Sequence, residues 1–175
     1  ARVDVTPSRP PRLDAAPEPA REKAPTRRTA PRVPTGTVHD SVAGIEAMLA
    51  TNGVLLVIDG YNVTKQAWGD ESLEGQRQRL GVAVTALQRR AGCDVLCVFD
   101  GDGTGHRPML RRGGVRVMFS DAGEEADDVI VREVAALPKR VPIVVVSSDA
   151  WVREHVEAEG AVVVGATAFL AALRR

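Results

Sequence analysis

Aromatic side chains are few in this chain: three Phe, two Trp and one Tyr among 175 residues. A surface lined with rings on which successive bases of a single strand stack is therefore not expected. Cysteine is scarcer still. Cys93 and Cys97 are the only two, they sit around a predicted strand, and no signal-peptide pattern accompanies them. They read as buried thiols of a reducing, cytoplasmic compartment rather than as a disulfide or half of a zinc site. Lys plus Arg number 23 and Asp plus Glu 23, so no net field draws the chain to nucleic acid or to an anionic membrane. Any such binding must come from local patches. No apolar run approaches the roughly 20 residues of a membrane-spanning helix. The three histidines, His39, His106 and His155, are scattered without catalytic company, and each is read as structural.

What the chain does have is one domain's worth of sequence behind a different kind of leader. Residues 1–40 are rich in Pro, Arg and Ala, and Pro7, Pro10, Pro11, Pro17, Pro19, Pro25, Pro31 and Pro34 interrupt any helix. With low apolar content and no periodicity, this stretch reads as a disordered arm or linker, and the abrupt change in composition after it as the mark of a piece cut from a longer protein. From residue 41 to 175 a folded domain is expected. A short leading helix, capped by Asp40 or Ser41, carries Val42, Ile45, Met48 and Leu49. Continuously apolar runs follow at 54–58, 95–99 and 142–146, with a short one at 161–164, and a further strand is read at 115–119, where Arg116 interrupts the apolar residues. Helical patterns run at 73–91, 150–159 and 167–173, and from Gly123 to Ala135. Strands without polar alternation, interleaved with helices, argue for a mainly parallel sheet covered on both faces.

In such sheets ligands bind beyond the carboxyl ends of the strands. Three of the runs end in an acid there: Asp59, Asp100 and Asp149. The helical stretch Gly-Glu-Glu-Ala-Asp-Asp-Val-Ile starts from the same edge and brings Glu124, Glu125, Asp127 and Asp128 within one and a half turns. A helix dipole favours a first-turn carboxylate by only roughly 0.3–1 kcal/mol, too little to gather so many like charges. A hard divalent cation such as Mg²⁺ or Mn²⁺, which takes oxygen ligands, would gather them.

Four motifs now line up: Asp59-Gly60-Tyr61-Asn62, Phe99-Asp100, Gly123-Glu124-Glu125-Ala126-Asp127-Asp128 and Val146-Ser147-Ser148-Asp149. In this order and in these strand contexts, the chain from about residue 53 to 173 resembles the YacP-like branch of the NYN domains, within the PIN-like nuclease superfamily. The Glu-Ala-Asp-Asp-Val-Ile segment is also similar to the metal-binding helix of the 5′ nucleases attached to bacterial DNA polymerases. The resemblance implies a PIN-like three-layer α/β/α sandwich, Mg²⁺ or Mn²⁺, and endonucleolytic hydrolysis of RNA phosphodiester bonds. Carried over by position, Asp59, Asp100, Asp127 and Asp149 match the acidic quartet, with Asp128 and a glutamate as supporting or second-metal ligands. The YacP-like pattern would select Glu124 and the 5′-nuclease pattern Glu125. Asn62 would orient Asp59 or touch the scissile phosphate.

Substrate grip is expected from a glycine-rich basic loop spanning 101–114, where His106, Arg107, Arg111 and Arg112 follow Asp100, with Arg116 just beyond and Lys65 extending the patch. Trp68 either stacks on a base or anchors a loop. RNA is the expected partner, and the ribosome or another RNA-processing protein a candidate second one. Two rival readings remain. A PIN-like domain that binds RNA without cutting it is one. The other comes from Asp100-Gly101-Asp102-Gly103-Thr104, which matches the signature of haloacid-dehalogenase-like phosphatases, with Asp100 as nucleophile and Asp102 as general acid.

Overall fold

A computed structural model of the chain describes residues 25–101, 110–112 and 114–175. Its centre is a six-stranded sheet built from β1 (Leu55–Asp59), β2 (Asp94–Phe99), β3 (Leu110–Arg112), β4 (Val115–Phe119), β5 (Ile143–Val146) and β6 (Val162–Val164), in the order β3-β4-β2-β1-β5-β6. All neighbours run parallel except the edge strand β3, which pairs antiparallel with β4. Every residue of β1 and of β5 is buried, which is why neither run alternates with polar residues. The successive side chains point to opposite faces and feed two separate cores. Leu56, Ile58, Val95 and Cys97 pack under α1 (Val42–Leu49), α2 (Gly60–Trp68), α3 (Leu73–Ala91) and α6 (Ala166–Leu173). Leu55, Val57, Leu96 and Val98 pack under α4 (Ala126–Ala136) and α5 (Ala150–Ala158). This is a three-layer α/β/α sandwich with a mainly parallel sheet, as expected. Cys93 and Cys97 are free and buried, and burial pushes the Cys97 thiol up to about 12.

Four features differ from the sequence reading. α2 follows β1 without a loop: the Asp59 side chain caps it by accepting from the Asn62 N–H, which offsets the poor helix propensity of its leading glycine. β3 forms inside the stretch read as a basic loop. The acidic helix starts at Ala126 rather than at Gly123, because Gly123 sits at φ +85° and the Glu124 N–H turns back to the Asp121 carbonyl. Finally, residues 25–40, read as the end of a disordered arm, lie along the domain. Arg28 is only 5% exposed and donates to the carbonyls of Glu159, Pro138, Val141, Val134 and Leu137. Asp40 accepts from the Gly165 N–H, and Thr29 donates to the Lys139 carbonyl. The remainder of the arm, residues 1–24, lies outside the described residues.

Candidate active site

The chain leaves β1 for β2 on one side of it and later enters β5 on the other, so the order reverses between β1 and β5. Open parallel sheets place their ligand crevices at such a point, beyond the carboxyl ends of the strands. Asp59 ends β1 there. Its Oδ1 accepts from the Asn62 N–H (3.2 Å) and its Oδ2 from the Ser147 hydroxyl (3.1 Å), which itself accepts from the Asp149 N–H (3.1 Å). Ser147 thus ties the acid of one strand to the acid that follows the next. The Asn62 side-chain carbonyl accepts from the Ser148 N–H (2.9 Å) and closes the same seam from the other strand. A second constraint lies behind Asp59. A Cβ on Gly60 would meet the Phe99 ring at 2.3 Å, and Phe99 stands edge-on to Tyr61 at 5.0 Å, so the glycine lets the ends of β1 and β2 approach.

Asp149 caps α5, its Oδ1 accepting from the N–H groups of Trp151 (2.8 Å) and Val152 (3.0 Å). Asp100, one residue past β2, reaches across to α4. That helix has no side-chain cap from its own N-cap residue, Glu125, and Asp100 Oδ1 takes the Ala126 N–H instead, at 2.7 Å. The borrowed cap docks the α4 N-terminus, and with it Asp127 and Asp128, at the rim formed by the strand ends. Among the described residues, Asp127 accepts no hydrogen bond and has no cationic partner. Its pKa is raised by burial first and then by the charges of Asp149, Asp100, Glu125 and Asp128, all in the same direction. Burial is also the largest influence on Asp59. Opposed by the Asn62 N–H and the Ser147 hydroxyl, and joined by the charges of Asp127 and Asp100, it pushes that carboxyl up to about 6.

The quartet drawn from sequence is therefore brought to one rim from three strands and a helix. Of the two glutamates, Glu125 acts on Asp127 through its charge. Both precede α4, and Glu124 is engaged by the Arg132 guanidinium on the helix's own surface. Among the described residues, no three His, Cys, Asp or Glu side chains are drawn together into a ready ligand cage. The donor set still suits a hard cation: Asp100 and Asp149 each keep one oxygen outside these hydrogen bonds, and Asp127 keeps both.

The expected grip residues are less gathered. Lys65 is exposed on α2, its Nζ 5.7 Å from the centre of the Tyr61 ring. Arg116 pairs in register with Leu96 and with Arg111, three residues back from the Phe119 end of β4, roughly 10 Å from the rim at strand spacing. Arg112 lies opposite Val115, further from it still. His106 and Arg107 lie outside the described residues, as does the Asp102 that the phosphatase reading requires. Trp68 is packed against the core beneath the Arg79 guanidinium, which makes it a loop anchor. The sequence reading missed Ser147 as a link between acids. The only signal for Ser147 was its place in the Ser-Ser-Asp string after β5.

The fold resembles that of Rae1 (YacP) from Bacillus subtilis, crystallised as a tryptophan-to-leucine mutant, with a TM-score of 0.57 and 29% identity over 69% of this chain and 75% of that one. A second structure of Rae1 (YacP) from the same organism gives a TM-score of 0.57 at 24% identity, covering 69% of this chain and 73% of that chain. No curated protein matches the chain. The family model of the YacP-like NYN domain matches residues 56–175, most of the sheet and all of the acidic rim. The chain belongs to the YacP-like NYN domain family.

Proposed function

We propose that this protein is a divalent-metal-dependent ribonuclease that hydrolyses phosphodiester bonds within RNA chains. Membership in the YacP-like NYN family and the likeness to Rae1 (YacP) support a nuclease-type function directed at RNA. The observation that carries the metal is Asp127. It is half-buried among four carboxylates, and no cation or N–H answers it among the described residues. Carboxylates whose charges act on one another raise one another's pKa unless a cation completes the site.

Asp59, Asp100, Asp127 and Asp149 would hold Mg²⁺ or Mn²⁺, with Asp128 and Glu125, whose charges act on Asp127, as the candidates for a second ion. Glu124, already paired with Arg132, is the weaker candidate of the two glutamates. When bound, such ions supply an activated water and neutralise charge on the phosphoryl oxygens. The chain's own work is positional. Ser147 and the Asn62 N–H hold Asp59, and the first turn of α5 holds Asp149. The Asn62 side-chain NH₂, without a partner among the described residues, is placed to donate to the scissile phosphate, its carbonyl being fixed on Ser148. No histidine, cysteine or serine nucleophile is called for.

The test is purified protein with Mn²⁺ and an internally labelled RNA blocked at both ends. Internal cuts that stop on chelation, and that Asp59→Asn and Asp127→Asn both lose, are the expected result. Equal cutting by all three proteins would assign the activity elsewhere. Metal-independent RNA binding with no cuts under any divalent ion would make the domain a binding module.

A further inference from the structure

We propose that the Trp151 indole, braced by His155, is a stacking subsite for one unpaired base of a single-stranded RNA lying across the acidic rim; the proposal rests on the ribonuclease reading above. All six aromatic residues of the chain lie among the described ones, and five are occupied. Tyr61, Phe99 and Phe119 pack on one another, with ring centres 5.0 and 5.9 Å apart, Phe169 is fully buried, and Trp68 is set into the core margin under Arg79. Trp151 is the exception, 43% exposed. A lone exposed apolar side chain is ordinary. Its surroundings single this one out.

Trp151 sits in the first turn of α5, two residues after Asp149, and its N–H donates to the Asp149 carboxylate at 2.8 Å. The ring therefore rises from a backbone locked to a rim acid. One turn along, the His155 Nδ1–H donates to the Trp151 carbonyl at 2.7 Å, and the imidazole lies against the indole, centres 4.1 Å apart and tilted by 32°. The imidazole supports the indole and restricts its rotamers, so less freedom remains to be lost when a flat ligand stacks on the exposed area. A base is flat, carries a π-face whatever its identity, and is available for stacking only where the strand is unpaired. The flexible phosphate chain of such a strand can place one phosphate at the acids while a neighbouring base reaches Trp151. One indole beside the site is a single subsite, consistent with a chain too poor in rings for an extended platform.

The experiment measures binding, not cutting. Full-length protein carrying Asp127→Asn binds a labelled single-stranded RNA of roughly eight nucleotides, followed by anisotropy. In that background Trp151→Leu removes the ring but keeps apolar bulk, and Trp151→Phe keeps a smaller ring; thermal melts check that each is folded. We expect Leu to weaken binding roughly 5- to 150-fold and Phe to weaken it less. An abasic nucleotide scanned along the RNA should cause the same loss at one position with Trp151 present, and little further loss with Leu. Unchanged affinity in the Leu variant would overturn the subsite, as would a Leu penalty that no abasic position reproduces, which would point to a protein partner for the indole. If the protein with Trp151 intact binds no RNA at all, the ribonuclease reading falls with it. If that protein binds RNA and the wild type cuts it while Leu changes nothing, only the subsite falls.

Discussion

At the carboxyl ends of the strands, Asp127 stands among four other carboxylates with no cation beside it among the described residues, whereas at the amino ends Arg28 is buried with five carbonyl oxygens around its guanidinium. The two groups lie at opposite ends of one helix: α4 begins beside Asp127 and delivers the carbonyls of Val134 and Leu137 to Arg28 some 11 residues, or roughly 16 Å, later. Helix C-termini leave carbonyls without partners and carry partial negative charge, so a buried cation is well placed there. The close approach is shaped around it. Gly160 sits at φ +83°, and a Cβ there would come within 2.8 Å of the Arg28 Cβ. One end of the domain thus uses buried charge to hold the strap of residues 25–40 down, with every donor answered. The other end leaves charge unanswered among the described residues, which costs stability and keeps oxygens free for a ligand.

The comparison breaks most visibly at Asp127. Replacing it with Asn is expected to cut Mn²⁺-dependent RNA cleavage by more than about 100-fold, beyond the range typical of changes behind a metal site, while the thermal midpoint stays level or rises. A simultaneous loss of activity and of folding would mean that the rim acids are structural. The mirror experiment is Arg28→Ala, expected to destabilise the domain by about 2–4 kcal/mol by stranding buried carbonyls, measured by denaturant melts. Cleavage per folded molecule should be unchanged. Lys at the same position should restore only part, since an ammonium cannot reach as many carbonyls as the guanidinium fork.

Asp59 sharpens the contrast through pH. Its folded pKa, about 6 against an ordinary 3.8, lies above the unfolded value. The folded state therefore holds the proton more tightly, so the favourable contribution is full below pH 4 and is lost as pH rises through 6. In metal-free buffer, Asp59→Asn should match wild type near pH 4 and exceed it by up to about 3 kcal/mol above pH 7, since Asn can keep both hydrogen bonds. Added Mn²⁺ should raise the wild-type midpoint at neutral pH and leave the Asn variant's nearly unmoved. A flat difference across pH would show that Asp59 is not the strained group. The smallest effect is expected at the Lys139–Glu159 pair, about a third exposed, close to Arg28 on the surface. There Lys139→Ala should cost under about 1 kcal/mol, and less in high salt.

Much of this was legible in the linear chain. The apolar runs at β1, β2 and β5 could be recognised because burial on both faces leaves little polar alternation, and an acid at or shortly after the end of each marked the rim. α2 was not legible: it opens on Gly60 and is held by a cap from Asp59 and by contacts distant in sequence. Nor was the starting point of α4. Local pattern extends the helix back over Glu124 and Glu125, but the Ala126 N–H is satisfied by Asp100, 26 residues away. The strap was misread for a similar reason. Proline-rich segments lack a periodicity of their own, and what orders residues 25–40 is a set of carbonyls more than 100 positions further on.

By itself, then, the sequence determined the alternation of strands and helices, the parallel character of the sheet and which acids follow strands, because these depend on side-chain polarity over a few neighbouring residues. Only the tertiary structure decided that Asp127 has like charges and, among the described residues, no partner around it while Glu124 has Arg132, that Ser147 joins Asp59 to Asp149, and that Trp151 alone among the rings stays open. Each of these depends on which groups from distant segments arrive within a few ångströms, and electrostatics and hydrogen bonding at that range are set by packing rather than by order along the chain.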